Sequence, residues 1–324
     1  VFDKFYNLSG PPFLLTPDSR FFFGSSGHSR AMAHLVYGLS QQEGFIVITG
    51  EVGAGKTTLV EQLWSQLDRN TYIIARVVTT QVSGDDLLRL AMANFGLGET
   101  PGTEKSTLLR RFEHMVRDQR AQGRRCLLVI DEVQNLSLAA MEELRMLSNI
   151  VVEGRASMQT ILLGQPQFRP ILASKDWEQL RQRVLASYHL GPLTKEETRR
   201  YIEHRLLTVD WRDDPAWEEA AFTAMHHHTG GIPRRINTLC SRVLLLGALE
   251  ETHTITCQMV DETAEELNRD LGAGLEPAGP MTRPVEDRSD LLRRIEKLER
   301  QAFRQGQVFK RVLDLLEANV TGHV

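Results

Sequence analysis

The stretch Gly50-Glu51-Val52-Gly53-Ala54-Gly55-Lys56-Thr57 carries the plainest chemistry in the chain. Its spacing is G-x-x-x-x-G-K-S/T, a backbone cradle for phosphate. Gly50, Gly53 and Gly55 let successive N–H groups turn toward one anion. Lys56 can reach the β- and γ-phosphates of a nucleoside triphosphate, and the Thr57 hydroxyl can ligate Mg2+. Thr58 follows and completes the candidate nucleotide-binding set. The motif has meaning only between a strand and a helix. Gly44-Phe45-Ile46-Val47-Ile48-Thr49 reads as a short buried strand, and Thr58 to Trp64 reads as the first turns of a helix. The positive end of that helix adds to the cradle.

A second chemical cluster lies downstream. Cys126-Leu127-Leu128-Val129-Ile130 is a continuous apolar run that ends in Asp131-Glu132. Such a run predicts a buried parallel strand with carboxylates at its C-terminal edge, where open α/β sheets bind ligands. Asp131 would hold Mg2+, directly or through water, and Glu132 would orient and polarise the attacking water. Gln165 ends a further strand, Thr160 to Gly164, on the same edge. It is placed to sense a γ-phosphate, or else is the turn residue before Pro166.

These groups need a scaffold. Strands are predicted at 44–49, 72–78, 126–132, 160–164 and 187–190, with helices between them at 85–95, 107–122, 138–151 and 177–184. That alternation gives an α/β fold, a doubly wound parallel sheet spanning 44–192. Residues 1–43 form a leading segment, punctuated by Pro11, Pro12 and Pro17, and then a helix. Phe21-Phe22-Phe23 in that segment either covers an adenine or simply packs, and His28 touches a base or caps its helix. Residues 193–270 read as an α-helical lid domain without strands. Thr194 and Glu197 form a capping box at its start, and helices follow at 216–229, 234–249 and 257–270. The triple His226-His227-His228 is not read as a metal site, because adjacent histidines on a helix point in different directions. Residues 271–286 are a Gly/Pro/Ala-rich linker. In 287–324, Leu291, Ile295, Leu298, Ala302, Gln305, Phe309, Val312 and Leu316 trace an a/d seam, interrupted at Gln305-Gly306, on a basic segment. A coiled-coil-like, partner-docking helix is the reading; a single amphipathic helix folded onto the body is the alternative.

The totals set bounds. A chain of 324 residues can hold two or three domains. A net charge of -4 gives no global basic field for DNA. Three widely spaced cysteines form neither a C-x-x-C pair nor a disulfide ladder. No run approaches a membrane span, and Val1-Phe2-Asp3-Lys4 does not read as a signal peptide. A cytoplasmic protein is the expectation.

Taken together, the phosphate loop, Asp131-Glu132, Gln165, the arginines Arg181 and Arg183 before the last strand, and Gly231-Ile232-Pro233-Arg234 resemble an AAA+ ATPase. The leading Phe5-Tyr6-x-Leu8 with Pro12-Phe13 and Thr16-Pro17-Asp18, together with Gly164-Gln165-Pro166 and Gly231 to Asn237, is similar to the ExeA/GspA-type secretion ATPases. Within that group it most resembles the ATPase found with exosortase/PEP-CTERM (XrtA) and exopolysaccharide loci. The resemblance covers residues 1 to about 270. It implies Mg2+-dependent hydrolysis of ATP to ADP and phosphate, with Arg234 as a lid arginine on the nucleotide phosphates. Arg183 or Arg181 would be a finger donated to a neighbouring subunit's γ-phosphate. It also implies a homo-oligomer, with a hexameric ring as one arrangement. The expected partner is an inner-membrane export or polysaccharide system, which the chain would serve from the cytoplasm or peripherally at that membrane. ExeA itself adds a membrane span and a periplasmic peptidoglycan-binding part; these residues carry neither, so its cell-wall role is not carried over. The same core resembles transposition ATPases of the TniB/MuB kind. A DNA-binding ATPase is therefore the alternative, disfavoured by the acidic pairs Glu218-Glu219, Glu250-Glu251 and Glu265-Glu266.

Overall fold

In the computed structural model, the described residues are 2–272 apart from 17, 69, 79–83 and 99–101. Pro17, most of the expected linker (273–286) and the expected coiled-coil helix (287–324) lie outside them. Two compact units divide the chain. One comprises Pro12–Val209 and Met225–Thr238; the other comprises Val1–Pro11, Asp210–Ala224 and the residues from Leu239 onward.

The elements run in chain order as α1 (Phe2–Phe5), α2 (Ser26–Gln41), β1 (Phe45–Gly50), α3 (Lys56–Gln66), β2 (Tyr72–Val78), α4 (Gly84–Asn94) and α5 (Lys105–Ala121). There follow β3 (Arg125–Asp131), α6 (Leu138–Ser148), β4 (Val151–Val152), β5 (Arg155–Ala156), β6 (Met158–Gly164), α7 (Phe168–Ala173), α8 (Glu178–Arg181) and β7 (Val184–Leu190). The chain then continues through α9 (Lys195–Leu207), β8 (Ala216–Trp217), α10 (Glu219–Thr229), α11 (Pro233–Leu249), β9 (Thr254–Ile255) and α12 (Cys257–Gly272).

Five parallel strands form the central sheet in the order β2-β3-β6-β1-β7. Each inner strand is buried on both faces, and its side chains alternate between two cores. Phe45, Val47, Leu128, Ile130 and Leu162 face one core with Leu87, Phe112, Met141 and Leu144 of α4, α5 and α6. Ile46, Ile48, Leu127, Val129, Ile161 and Leu163 face the other with Leu35 of α2 and Leu59 and Leu63 of α3. Helices on both faces make the sheet doubly wound. Because β6 lies between β1 and β3, the C-terminal ends of these three strands form one edge. Thr49 pairs with Gly164 there, and Ile130 pairs with Leu162.

Arg205 on α9 ties the leading segment down within the same unit. Its Nε donates to the Pro12 carbonyl at 2.6 Å and its two NH groups to Tyr201 Oη at 3.0 Å and the Leu14 carbonyl at 3.2 Å. The guanidinium also lies 4.6 Å from the centroid of Phe21. The expected capping box opens α9. Glu197 closes it and accepts a further bond from the Ser26 amide at 2.8 Å, so one carboxylate serves the N-termini of α9 and α2.

Several boundaries differ from the sequence reading. The helix expected over 138–151 ends at Ser148, and a hairpin of β4 and β5 follows. Glu153 and Gly154 sit between its strands at φ 54 and φ 76, the left-handed pair a tight two-residue hairpin requires. The helix expected over 177–184 is confined to α8, and Val184 already belongs to β7. Residues 193–270 are not free of strands: Ala216 and Trp217 pair in parallel with Thr254 and Ile255, which delays the start of α10 to Glu219.

The second unit has its own packing. Tyr6 is buried and donates its hydroxyl to the Thr252 carbonyl at 3.1 Å. Phe5 stacks on His253 at 4.7 Å, and Trp217 on Phe222 at 5.3 Å.

Candidate functional site

The phosphate loop leaves β1 at Gly50 and enters α3 at Lys56. Gly53 and Gly55 adopt φ +81 and φ +99, a region that costs other residues about 1–2 kcal/mol. A Cβ on Gly53 would lie 2.3 Å from Cβ of Arg234, and one on Gly55 would lie 2.7 Å from Nε2 of His28. The loop thus has a close neighbour on each side. Gly53→Ala should strain the turn and push back the first turn of α11. Affinity for a non-hydrolysable ATP analogue should fall at least tenfold in titration calorimetry, with the melting temperature reporting whether the fold survives.

Lys56 is buried, and its ammonium donates to the carbonyls of Gly50 at 2.7 Å and Glu51 at 3.0 Å. Burial draws its pKa below the usual lysine range, while the carboxylates of Glu132, Asp131 and Glu51 oppose that shift. Thr57 donates its hydroxyl to Asp131 Oδ2 at 3.0 Å, which joins the loop to the end of β3. Arg76 on β2 reaches the same oxygen at 3.0 Å. The hydroxyl and the carboxylate are hard oxygen donors of the kind Mg2+ takes, so the pair fits that cation.

Glu132 follows at φ 54, in the left-handed region, so the backbone swings its carboxylate out of line with β3. Two amides hold that carboxylate: Gln134 Nε2 donates to Oε2 at 2.5 Å and Gln165 Nε2 donates to it at 3.0 Å. Gln134 Oε1 accepts in turn from the Gln165 backbone amide at 2.9 Å. Gln165 therefore meets Glu132 across the sheet edge. Gln134 escaped the sequence reading, although its position two residues after the acid was a signal.

Arg234 lies in the first turn of α11, after Pro233, and its backbone N–H donates to the Gly53 carbonyl at 3.2 Å. Arg234, Lys56, Thr57, Thr58 and Glu132 all line one cavity of about 320 Å3. Phe22, Phe23, His28 and Arg205 line it as well. Phe21 is buried, so the Phe cluster both packs and faces the cavity. Ser25 caps α2, accepting from the His28 amide at 3.2 Å, and the Ser25 hydroxyl lies 2.7 Å from His28 Nδ1. His28 itself turns its imidazole to the loop. Arg183 and Arg181 are elsewhere. Arg183 precedes β7 at the opposite edge of the sheet and donates to Ser148 Oγ at 2.9 Å. Arg181 donates to the Ala173 carbonyl at 3.0 Å.

Burial pushes the His28 imidazole down to about 4, against the pull of the Glu197 carboxylate. Its folded value is depressed below 6.5, so between about 4 and 6.5 the unfolded chain holds the extra proton. Stability is therefore present above that window and lost as pH falls through it. Urea unfolding at pH 7 and pH 5 should show a loss of about 2 kcal/mol from this group, and His28→Gln should flatten that slope.

Strand order, phosphate loop and acid pair together define the P-loop AAA+ fold, a parallel sheet with flanking helices built around a nucleotide phosphate site. Residues 39–172 match the family model of the AAA domain. The chain is 34% identical over 278 residues to the general secretion pathway protein A of Aeromonas hydrophila, covering 84% of this chain and 50% of that protein. It thus spans about half the length of the curated relative it matches. Among solved structures, Cdc6p from Pyrobaculum aerophilum superposes with a TM-score of 0.62 at 15% identity, covering 85% of this chain and 75% of that one. The Aeropyrum pernix ORC2 protein in ADPNP-ADP complexes gives 0.57 at 17%, covering 78% and 72%. The Thermotoga maritima RuvB branch migration motor gives 0.51 at 20%, covering 76% and 70%. At these identities the likeness is one of fold. Among the described residues no helix is long and apolar enough to cross a membrane.

Proposed function

We propose that this chain hydrolyses ATP to ADP and phosphate and uses the cycle to energise or assemble an export system at the inner membrane. The observation that carries the ATPase reading is one sheet edge where Lys56, Thr57 and the amide-held Glu132 line a single cavity, with Asp131 bonded to the Thr57 hydroxyl behind it. Loop amides from Gly50 to Thr58 cradle the phosphates, and Lys56 turns from the loop carbonyls to the β- and γ-phosphates. Thr57 and Asp131 would hold Mg2+, which would neutralise charge on the phosphate oxygens. Glu132, oriented by Gln134 and Gln165, aligns the attacking water and draws its proton. Gln165 senses the γ-phosphate through Glu132. Arg234 reaches the phosphates from α11, and Arg183 or Arg181 serves the site of a neighbouring copy in a homo-oligomer, a hexameric ring being one form.

The 34% identity to a secretion pathway protein supports the export reading. Service to an exosortase or exopolysaccharide system, from the cytoplasm or the membrane periphery, is the finer form of the proposal and rests on the sequence resemblance. The likeness to ORC, Cdc6 and RuvB is confined to fold and gives the DNA-binding alternative no further weight. Purified full chain should release phosphate from ATP with Mg2+ and stop on chelation with EDTA. In cells, a Glu132→Gln allele replacing the wild type should block export of the secreted polymer. Normal export, coupled with ATP-dependent retention of duplex DNA, would replace the export reading with the DNA one.

A further inference from the structure

A cavity of the sheet-bearing unit lies away from the phosphate loop. It measures about 1040 Å3 and opens at the N-terminal edge of the sheet, among the residues that lead into β1, β3, β6 and β7. Arg120, Arg124, Arg125, Arg155 and Arg183 line it, with no lysine among the described lining residues. The carboxylates in the wall are Glu43 and Glu153. Five guanidinium groups against two carboxylates make a basic concavity in a chain whose net charge is -4.

The hydrogen bonds and ring contact these arginines make are to neutral groups, while the Glu153 carboxylate acts on Arg120 through its charge. Arg120 donates to the carbonyls of Val152 and Ala156 and so braces the β4–β5 hairpin, while Arg124 donates to Gln122 Oε1. Arg125 lies 5.9 Å from the centroid of the Tyr72 ring, and Arg183 donates to Ser148 Oγ. All of these partners are neutral. Arg125 and Arg155 are exposed, and Arg124 is half-buried.

We propose that this cavity is a second anion site, taking a compact ligand that carries several phosphoryl groups. Guanidinium is the side chain that meets phosphate oxygens two at a time, and several of them around one concavity favour a multivalent anion. A protein partner would anchor through buried aromatic or aliphatic groups. Among the described lining residues Tyr72 is the one aromatic, already covered by Arg125, and Val151 and Leu185 are the exposed aliphatic ones, outnumbered by the five arginines and by the polar Gln42, Asn149 and Gln182. The phosphoryl groups have two possible sources: a free polyphosphorylated small molecule, or the nucleotide held by a second copy of this chain. The site lies at the opposite sheet edge from the proposed nucleotide cavity: a free anion would bind there whether or not the ATPase reading holds, while the neighbour's nucleotide as source rests on that reading.

The probe is tripolyphosphate, titrated into full-length Lys56→Ala protein so that the phosphate loop does not compete. One saturable event is expected, weakened by salt. Arg124→Gln and Arg155→Gln should each weaken it about tenfold, and the pair about a hundredfold. ATP binding by the double variant carrying wild-type Lys56 should be unchanged, which separates failure here from failure of the ATPase reading. In the otherwise unaltered Lys56→Ala chain, tripolyphosphate should shield Arg124 and Arg155 from phenylglyoxal, a readout independent of whether the glutamine variants fold. Binding by dilute protein assigns a free anion. Association that depends on these arginines and appears only after adding an ATP-loaded second copy assigns the neighbour's phosphates. Absence of both, equal affinity in the double variant without arginine shielding, or tighter binding of an oligoglutamate peptide overturns the proposal.

Discussion

Glu132→Gln should bind ATP as tightly as the wild type and hydrolyse it roughly 10²–10⁴ times more slowly. The substitution keeps the shape and removes the charge that draws a proton from water. The surroundings sharpen the expectation. Oε2 of Glu132 accepts from Gln134 at 2.5 Å and from Gln165 at 3.0 Å, contacts that suit an ionised carboxylate. A glutamine there presents either an oxygen, keeping both bonds, or an amide that faces two other amides. The first orientation preserves the fold, so the loss falls on turnover rather than on binding. Single-turnover hydrolysis alongside calorimetric titration with ATP checks this directly. A wild-type rate would remove Glu132 from the water-orienting role. Gln134→Ala and Gln165→Ala should give smaller losses of rate with unchanged affinity, because each leaves one amide on the carboxylate.

What could be seen in the sequence depended on how local each determinant is. The phosphate loop is contiguous: its glycines act through their own backbone, Lys56 and Thr57 through side chains next to them in sequence, and the flanking strand and helix are its immediate neighbours. Asp131-Glu132 was equally legible, because an apolar run long enough to be a buried strand ends in the acids. Gln134 was legible only in part: its bond to Glu132 is local, but its bond to the Gln165 amide exists only once β6 lies beside β3. Arg205 escaped because two of its three acceptors, the carbonyls of Pro12 and Leu14, lie 193 and 191 residues away. The β4–β5 hairpin has strands of two residues each, too short for any periodicity to register. Its one signal was Glu153-Gly154, a pair suited to left-handed turns. His28 was ambiguous because either role can be written from its position alone; with Ser25 capping the helix, its ring is left for the cavity.

Arg183→Ala should bind ATP normally and lose most of its turnover, by roughly 10³–10⁵ where an arginine acts as a finger. The argument starts from distance. Phe45, the first residue of β1, pairs with Val184, and Gly50 at the loop end pairs with Leu190. At about 3.3 Å per residue, that span separates Arg183 from its own phosphate loop by roughly 17 Å. The side chain cannot serve the site of its own chain, so a catalytic effect must reach a neighbour. In this chain the guanidinium rests on Ser148 Oγ at 2.9 Å, a neutral partner that a phosphoryl group would outcompete. Arg181 is held by the Ala173 carbonyl and is exposed; Arg181→Ala should cost little if Arg183 is the finger. Mixing decides between trans action and a local structural role. Arg183→Ala retains an intact loop and Lys56→Ala retains an intact finger, so mixed assemblies contain some interfaces with both. Partial recovery of ATPase on mixing two inactive proteins is the expected result. If Arg183 merely braces α6 through Ser148, then Ser148→Ala should reproduce its loss, and mixing should restore nothing even where sedimentation shows that the two variants assemble together.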